Sequence, residues 1–359
     1  MNTYANEVKK QNILKLRELL TEMPSFCSDY FRGISEARSE RTRVGYCRNI
    51  YTFLQFIIQT NPLYKNYTVK DLPIQVLDAM TPADIDEYKE YLKFYVVDGV
   101  EYHNSAPTIA RNLSAISNMY SFFNKRQAIK TNPLNAVERP TLHKKAIIAL
   151  DQEQIFDLMN AVEKPEHMSE HQKKLHQLTV DRDNAILSVF LGTGMRVSEL
   201  AGLDLGDIDF HNQTFRVIRK GGDEDFIYFG DEIYEALLSY LVNEDSEEDL
   251  KIKSPRERLL KDNPEEQALF LSLRGNRMAV RSIEVMVKKY SSMIQTNKKI
   301  TPHKLRSTFG TALYRETGDI YLVADVLGHK DVNTTKAHYA SQNNENRRRA
   351  ANIVSLKKD

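Results

Sequence analysis

Apolar residues at helical spacing recur through most of this 359-residue chain, and this periodicity constrains its fold more than any other feature. Segments 8–22, 42–59 and 105–124 each carry one apolar face with the period of an α-helix. Thr81-Pro-Ala-Asp84 begins another helix, because Thr caps an N-terminus and Pro suits the first helical position. We therefore predict that residues 1–136 form an all-helical bundle of four or more helices.

A short segment without apolar period, residues 137–146, contains Pro and basic residues and is predicted to be a linker. The second domain then covers residues 147–359. Two β-branched and aromatic segments flank Gly221-Gly222, which predicts a β-hairpin there. Its helices are predicted at 152–163, 180–191, 231–242, 280–291, 303–316, 320–327 and 345–354. The predicted fold class is mainly α: an N-terminal helical bundle, and a mostly helical domain with a small antiparallel β-sheet.

Composition limits where the chain works. Hydrophobic residues make up 41% and charged residues 28%, as in ordinary globular domains, and no apolar run approaches the length of a membrane helix. The polar N-terminus predicts that there is no signal peptide. Cys27 and Cys47 fit neither a disulfide framework nor a metal-ligand spacing, which suits a reducing cytoplasm. A cytoplasmic protein without membrane contact is expected.

Cationic side chains and one phenol are concentrated in two parts of the second domain. This set suits a phosphodiester better than a carbonyl, because arginine binds two phosphate oxygens with a planar fork. A tyrosine can attack phosphorus as a covalent nucleophile. The predicted activity is DNA strand transfer. The candidate catalytic residues are Arg196, Lys220, His303, Arg306, His329 and Tyr339.

Two histidines also raise the possibility of a metal site. No HExxH motif, paired cysteines or Asp/Glu cluster accompanies them, so neither a metal nor a cofactor is predicted. A net charge of +1 does not produce a strongly basic surface overall, but a locally basic groove is compatible with it. Taken alone, each candidate also has a structural explanation. Arg196 could pair with Glu199 on the next turn, Arg306 could lie on a solvated helix face, and Lys220 could be an exposed turn residue.

The order of these motifs resembles that of the tyrosine recombinases, the lambda-integrase family. Gly192-Thr-Gly-Met-Arg196 with Ser-Glu199-Leu resembles the first arginine box of the family, and Pro302-His303 with Arg306 resembles the second. Leu327-Gly-His329, followed by Thr334-Thr335 and Tyr339, resembles its nucleophile segment. Length and the Arg219-Lys-Gly-Gly turn are most similar to the single-protein Xer recombinases of low-GC Gram-positive bacteria.

The resemblance implies roles for these residues. Tyr339 would form a 3′-phosphotyrosyl bond, Arg196 and Arg306 would hold the non-bridging oxygens, and Lys220 would protonate the leaving 5′-oxygen. His303 would move a proton to or from the tyrosine, and His329 would donate a hydrogen bond to the phosphate. Residues 1–136 would be a SAM-like core-binding domain, and residues 147–359 the catalytic domain.

Strand exchange needs two duplexes, so the resemblance implies a homotetramer on paired double-stranded DNA sites. Residues 345–356 would pack on the neighbouring catalytic domain. Chromosome dimer resolution, with a place in chromosome partition and cell division, and integration of a phage or conjugative element both fit. The same residues would also suit a topoisomerase that relaxes single duplexes, and a DNA-binding regulator without catalysis would share the fold.

Four arginines are DNA-contact candidates: Arg41, Arg43, Arg48 and Arg111.

Overall fold

The computed structural model describes residues 3–97, 99–142, 148–164, 169–219, 222–242, 253–260, 263–329 and 331–339. The chain divides into two compact units, residues 1–145 and 146–359. Described helices of the first unit are α1 (Thr3–Leu20), α2 (Ser25–Gly33), α3 (Glu40–Thr60), α4 (Pro82–Lys93) and α5 (Ala106–Lys125).

Helix α3 is the centre of the first unit. Its N-terminus is capped by Ser39, whose side chain accepts a hydrogen bond from the main chain of Thr42, and α1 and α5 pack on its flanks. The ring of Phe53 in α3 packs edge to face on the ring of Tyr88 in α4, with ring centroids 5.0 Å apart. Both rings are fully buried, so the apolar face expected for residues 42–59 is the core of this unit.

The expectation of an all-helical first unit is wrong at one place. Strands β1 (Phe94–Val97) and β2 (Val100–His103) form an antiparallel hairpin whose turn contains Gly99 with φ +75°. Tyr95 and Tyr102 are paired across it and their rings stack 5.0 Å apart. Helix α4 ends at Lys93 because the aromatic and β-branched residues that follow favour an extended backbone.

The described part of the second unit combines helices with a three-stranded antiparallel sheet. The strands lie in the order β3 (Ile208–Asp209), β4 (Thr214–Ile218) and β5 (Glu224–Tyr228), so the predicted hairpin is present. The described helices of this unit are α6 (Gln152–Glu163), α7 (Glu170–Gln177), α8 (Val180–Thr193), α9 (Val197–Ala201), α10 (Asp231–Leu241), α11 (Pro255–Leu260), α12 (Val280–Ser291), α13 (Pro302–Thr317), α14 (Ile320–Val326) and α15 (Val332–Tyr339).

Helix α8 runs through the middle of the second unit. It is buried on nearly every side, and α6, α10 and α13 pack against it. Its first turn carries a buried ion pair, in which Arg182 donates to Asp183, and Tyr290 of α12 donates to the same carboxylate at 2.8 Å. This polar network fixes the start of α8, and packing against α13 fixes its end, where the candidate site lies.

The predicted fold class is confirmed: the described chain is mainly helical with small antiparallel sheets. Predicted helices at 152–163 and 280–291 coincide with α6 and α12. The predicted helix at 345–354 lies outside the described residues. Within the described part of the chain, no helix has both the length and the apolar character needed to cross a membrane.

Candidate active site

A left-handed turn at Gly194 places the end of α8 beside α13. Gly194 has φ +63°, a conformation that residues with a side chain adopt only at a cost. A Cβ there would lie 2.6 Å from the ring of Phe309 and 2.8 Å from Leu327. This close approach lets the Gly194 carbonyl oxygen accept a hydrogen bond of 2.5 Å from Arg306 Nη1. The second glycine of the Gly-Thr-Gly-Met-Arg motif is therefore required by geometry.

Arg306 is a buried residue of α13, with only 4% of its surface exposed. Besides Gly194, its guanidinium donates to the carbonyl oxygen of Leu327 at the end of α14. Arg306 is thus not on a solvated helix face. Buried guanidinium groups need hydrogen-bond acceptors, and here the helix ends at Gly194 and Leu327 supply them. The arginine thereby ties the Gly194 turn to the α14–α15 connection.

Arg196 caps the N-terminus of α9 and forms the expected ion pair with Glu199. Its Nη1 lies 2.7 Å from Glu199 Oε1, and its main-chain N–H donates to Oε2 at 2.9 Å. Arg196 Nη2 donates to the carbonyl oxygen of Gly328 at 2.9 Å. The carboxylate therefore holds the guanidinium in one direction, and more than a quarter of the Arg196 side chain stays exposed.

The connection between α14 and α15 turns at Gly328, which has φ +59°. His329 follows it, and its Nδ1 lies 2.7 Å from the hydroxyl of Thr335 in α15. When that hydroxyl donates to Nδ1, the ring proton is on Nε2, which is the tautomer that donates outward. Arg196, Arg306 and His329 are thus brought together around the Gly194 and Gly328 turns.

The other three candidates are His303, Tyr339 and Lys220. His303 is one turn before Arg306 on α13, but its side chain is exposed whereas that of Arg306 is buried. Tyr339 is the last residue of α15, one turn beyond Thr335, and α15 packs against α13 and α14. Lys220 lies outside the described residues.

One residue of the site was not predicted. Arg219 is 9% exposed, and its Nη1 lies 3.4 Å from both Glu199 oxygens while Nε donates to Asp225 at 2.7 Å. Strand alternation could have found it, because Phe215 and Val217 are buried and position 219 is next on the same face.

The four DNA-contact candidates lie in the first unit, on two helices. Arg41 and Arg48 of α3 and Arg111 of α5 are exposed, as a groove-facing role requires. Arg43 differs, because it is partly buried and its Nε is enclosed without a hydrogen-bond partner. Arg48 also lines a surface cavity of about 540 Å³ together with Tyr51 and Tyr102.

Among the described residues, no group of three or more His, Cys, Asp or Glu side chains could hold a metal ion. The charges that converge in the second unit are instead those of Arg196, Arg306 and Arg219, with Glu199 between two of them. Such an arrangement can bind two oxygens of a phosphate and stabilise negative charge that develops on them.

Comparisons with known proteins identify the family of this chain. The model of the phage integrase family matches residues 149–346. Tyrosine recombinase XerC of Thermodesulfovibrio yellowstonii is 32% identical over 234 residues, which are 65% of this chain and 71% of the relative. Tyrosine recombinase XerS of Streptococcus uberis is 28% identical over 359 residues, with 92% of this chain and 96% of the relative covered.

Solved structures show the same fold. XerH recombinase bound to palindromic difH has a TM-score of 0.61 at 18% identity, over 88% of this chain and 79% of that one. The Tn1549 transposon integrase with circular intermediate DNA has a TM-score of 0.60 at 20% identity, over 90% and 97%. The family match and the named relatives define an enzyme of the tyrosine recombinase class. The chain belongs to the phage integrase family, whose model matches more than half of it.

Proposed function

We propose that this chain cuts and rejoins duplex DNA at specific sites through a 3′-phosphotyrosyl intermediate on Tyr339. One observation carries the proposal: Arg196, Arg306 and His329, from separate parts of the sequence, converge on the two glycine turns of the second unit. Phosphoryl transfer depends mainly on positioning and on stabilising charge, and these three side chains supply both.

The reaction balances without a cofactor. The Tyr339 oxygen attacks phosphorus, the bond to the 5′-oxygen breaks, and the leaving oxygen takes a proton from Lys220. His303 accepts the tyrosine proton, since imidazole titrates near neutral pH. A 5′-hydroxyl of the partner strand then attacks the phosphotyrosine and gives its proton to Lys220. Tyr339 leaves and takes its proton back from His303. Because the phosphotyrosyl bond conserves the energy of the broken phosphodiester, no ATP is consumed.

Three side chains act on the phosphate itself. Arg196 and Arg306 hold the two non-bridging oxygens and stabilise the charge of the pentacoordinate transition state. His329 donates from Nε2 to the same phosphate, in the tautomer that the Thr335 contact favours. Removing one such donor typically costs about 10²–10³ in rate.

In this proposal the first unit provides the grip on DNA. Residues 1–136 form a core-binding domain, residues 137–146 a linker, and residues 147–359 the catalytic domain. The exposed residues Arg41, Arg48 and Arg111 contact phosphates of the DNA backbone. Such contacts increase the affinity for DNA but do not distinguish one base sequence from another. Four copies assemble on two paired sites, and residues 345–356 pack on the neighbouring copy.

Resolution of chromosome dimers, in the cytoplasm, is the biological role we propose. Support comes from relatives named as Xer recombinases, one of which aligns over nearly the full length of both chains. Strains lacking the gene should show unpartitioned chromosomes during division, and Tyr339→Phe should not complement the defect. Normal partition in such strains would favour integration of a mobile element instead.

Covalent trapping tests the chemistry directly. A duplex enriched from a random-sequence library by binding to the full chain, and nicked near the cleavage point, should form a protein–DNA adduct on denaturing gels. Tyr339→Phe should bind this duplex without forming an adduct, because only the attacking oxygen is lost. Tyr321→Phe is the matched control, since Tyr321 is an exposed tyrosine of α14. An adduct formed by Tyr339→Phe would remove Tyr339 from the role.

A further inference from the structure

Arg219 contacts three separate segments of the active site. It directly follows the last residue of β4, and its main-chain N–H donates to the Asp223 carbonyl across the turn at 2.8 Å. Nε holds Asp225 on β5, and Nη1 reaches Glu199 on α9. Its guanidinium also covers Gly328, where a Cβ would lie 2.6 Å from Arg219 Cζ.

Glu199 is the residue through which Arg219 can act. This carboxylate is 4% exposed and binds both the guanidinium and the main chain of Arg196. A buried carboxylate with a single arginine would neutralise much of the charge that Arg196 is to offer a phosphate. A second arginine on the same carboxylate offsets this, because Glu199 then divides its interaction between two cations.

Arg219 also acts on Arg196 indirectly through its contact with Gly328. The Gly328 carbonyl accepts from Arg196 Nη2, and His329 follows immediately in the chain. Because no side chain stands at position 328, the guanidinium of Arg219 can pack directly on this turn. Arg219 therefore braces both acceptors that fix the direction of Arg196.

We propose that Arg219 is a positioning residue for DNA cleavage that acts through Glu199 and Gly328 on Arg196. The proposal rests on the proposed function. It predicts that loss of Arg219 lowers the rate of phosphotyrosine formation while leaving DNA affinity unchanged, because the residue braces a group needed in the transition state.

Arg219→Gln should reduce the rate of adduct formation on the nicked duplex by about 10- to 100-fold, the range found when groups that orient metal ligands are removed. Arg216→Gln is the matched control. Arg216 lies on the opposite face of the same strand, is 46% exposed at its side chain, and pairs with Asp207 away from the site. Equal rates for the two variants, measured with equal half-site Kd, would overturn the proposal.

Two further measurements separate positioning from a general structural role. Adding Arg219→Gln to Glu199→Gln should lower the rate much less than it does in the wild type, because both changes act on one path. Full additivity would overturn the path through Glu199. Arg219→Lys keeps the charge but cannot bind Glu199 and Asp225 at once. A wild-type rate of adduct formation in Arg219→Lys would overturn the bracing role. Arg219→Lys also replaces Arg219→Gln in these measurements if Arg219→Gln fails to fold.

A duplex with sulfur in place of the leaving 5′-oxygen distinguishes Arg196 from Lys220 as the target of Arg219. A thiolate leaves without a proton donor, so Lys220→Ala should recover on this substrate. Arg219→Gln should stay slow, since phosphate charge must still be stabilised; its recovery would overturn the proposal. All of these measurements compare an Arg219 variant with the protein that carries Arg219, so they test this inference alone. Absence of a wild-type adduct would instead contradict the proposed function.

Discussion

Substituting alanine for Gly194 should damage the second unit in two measurable ways. Alanine in the left-handed conformation costs about 1–2 kcal/mol. The new Cβ would also lie 2.6 Å from Phe309 and 2.8 Å from Leu327, and such overpacking costs about 1–3 kcal/mol. Together the free energy of unfolding of this unit should fall by about 2–5 kcal/mol.

Calorimetry measures the first effect. A unit of this size loses about 2–4 °C of Tm per kcal/mol, so the transition of the second unit should shift down by about 4–20 °C. Gly206→Ala is the matched control, because a Cβ at Gly206 meets nothing within 4 Å. Similar shifts for both variants would refute the packing argument.

Activity measures the second effect. Relief of the clash moves the Gly194 carbonyl, which Arg306 binds, so Arg306 should lose its alignment with the phosphate. Cleavage below the variant's Tm should then fall by about 10²-fold, the size of effect that a displacement near 1 Å can cause. A stable Gly194→Ala protein that cleaves at the wild-type rate would show that Arg306 does not depend on this turn.

Three more predictions concern metal, pH and assembly. Adduct formation should survive EDTA, because arginines meet the phosphate charge; loss with chelator and recovery with a divalent ion would contradict this. Burial, and then Lys289, lower the pKa of His176, so the folded state favours the neutral ring. The neutral His176 ring contributes stability above about pH 6.5 that is lost as the pH falls from there through the lowered pKa. Calorimetry from pH 7 to 5 should show a smaller loss of Tm in His176→Gln than in the wild type, and an equal loss would refute this role of His176. Deleting residues 345–359 should leave binding to a half-site unchanged but lower cooperative binding and the rate of recombination. A truncated protein that recombined at the rate of the full-length protein would contradict this role of the segment.

Local patterns determined much of the secondary structure. Periodicity placed α6 and α12 at their observed bounds, since each amphipathic helix buries one face against a core. The β1–β2 hairpin was missed because its run of four apolar residues is short, and periodicity cannot separate such a run from the end of a helix. Gly99 provides the positive φ of the turn between the two strands, but no local pattern specifies the strand pairing around it.

The candidate site was also predicted in part from the sequence and decided in part by the tertiary structure. Motif order was enough to select Arg196, Arg306 and His329, because the chemistry of a phosphodiester restricts which residue types can act on it. Only the tertiary structure decided that Arg306 is buried, that Thr335 bonds His329, and that Arg219 shares Glu199 with Arg196. The contacts of Arg306 and Arg219 join separate segments of the chain, and their geometry depends on how α8, α13 and the sheet pack, which no local pattern specifies.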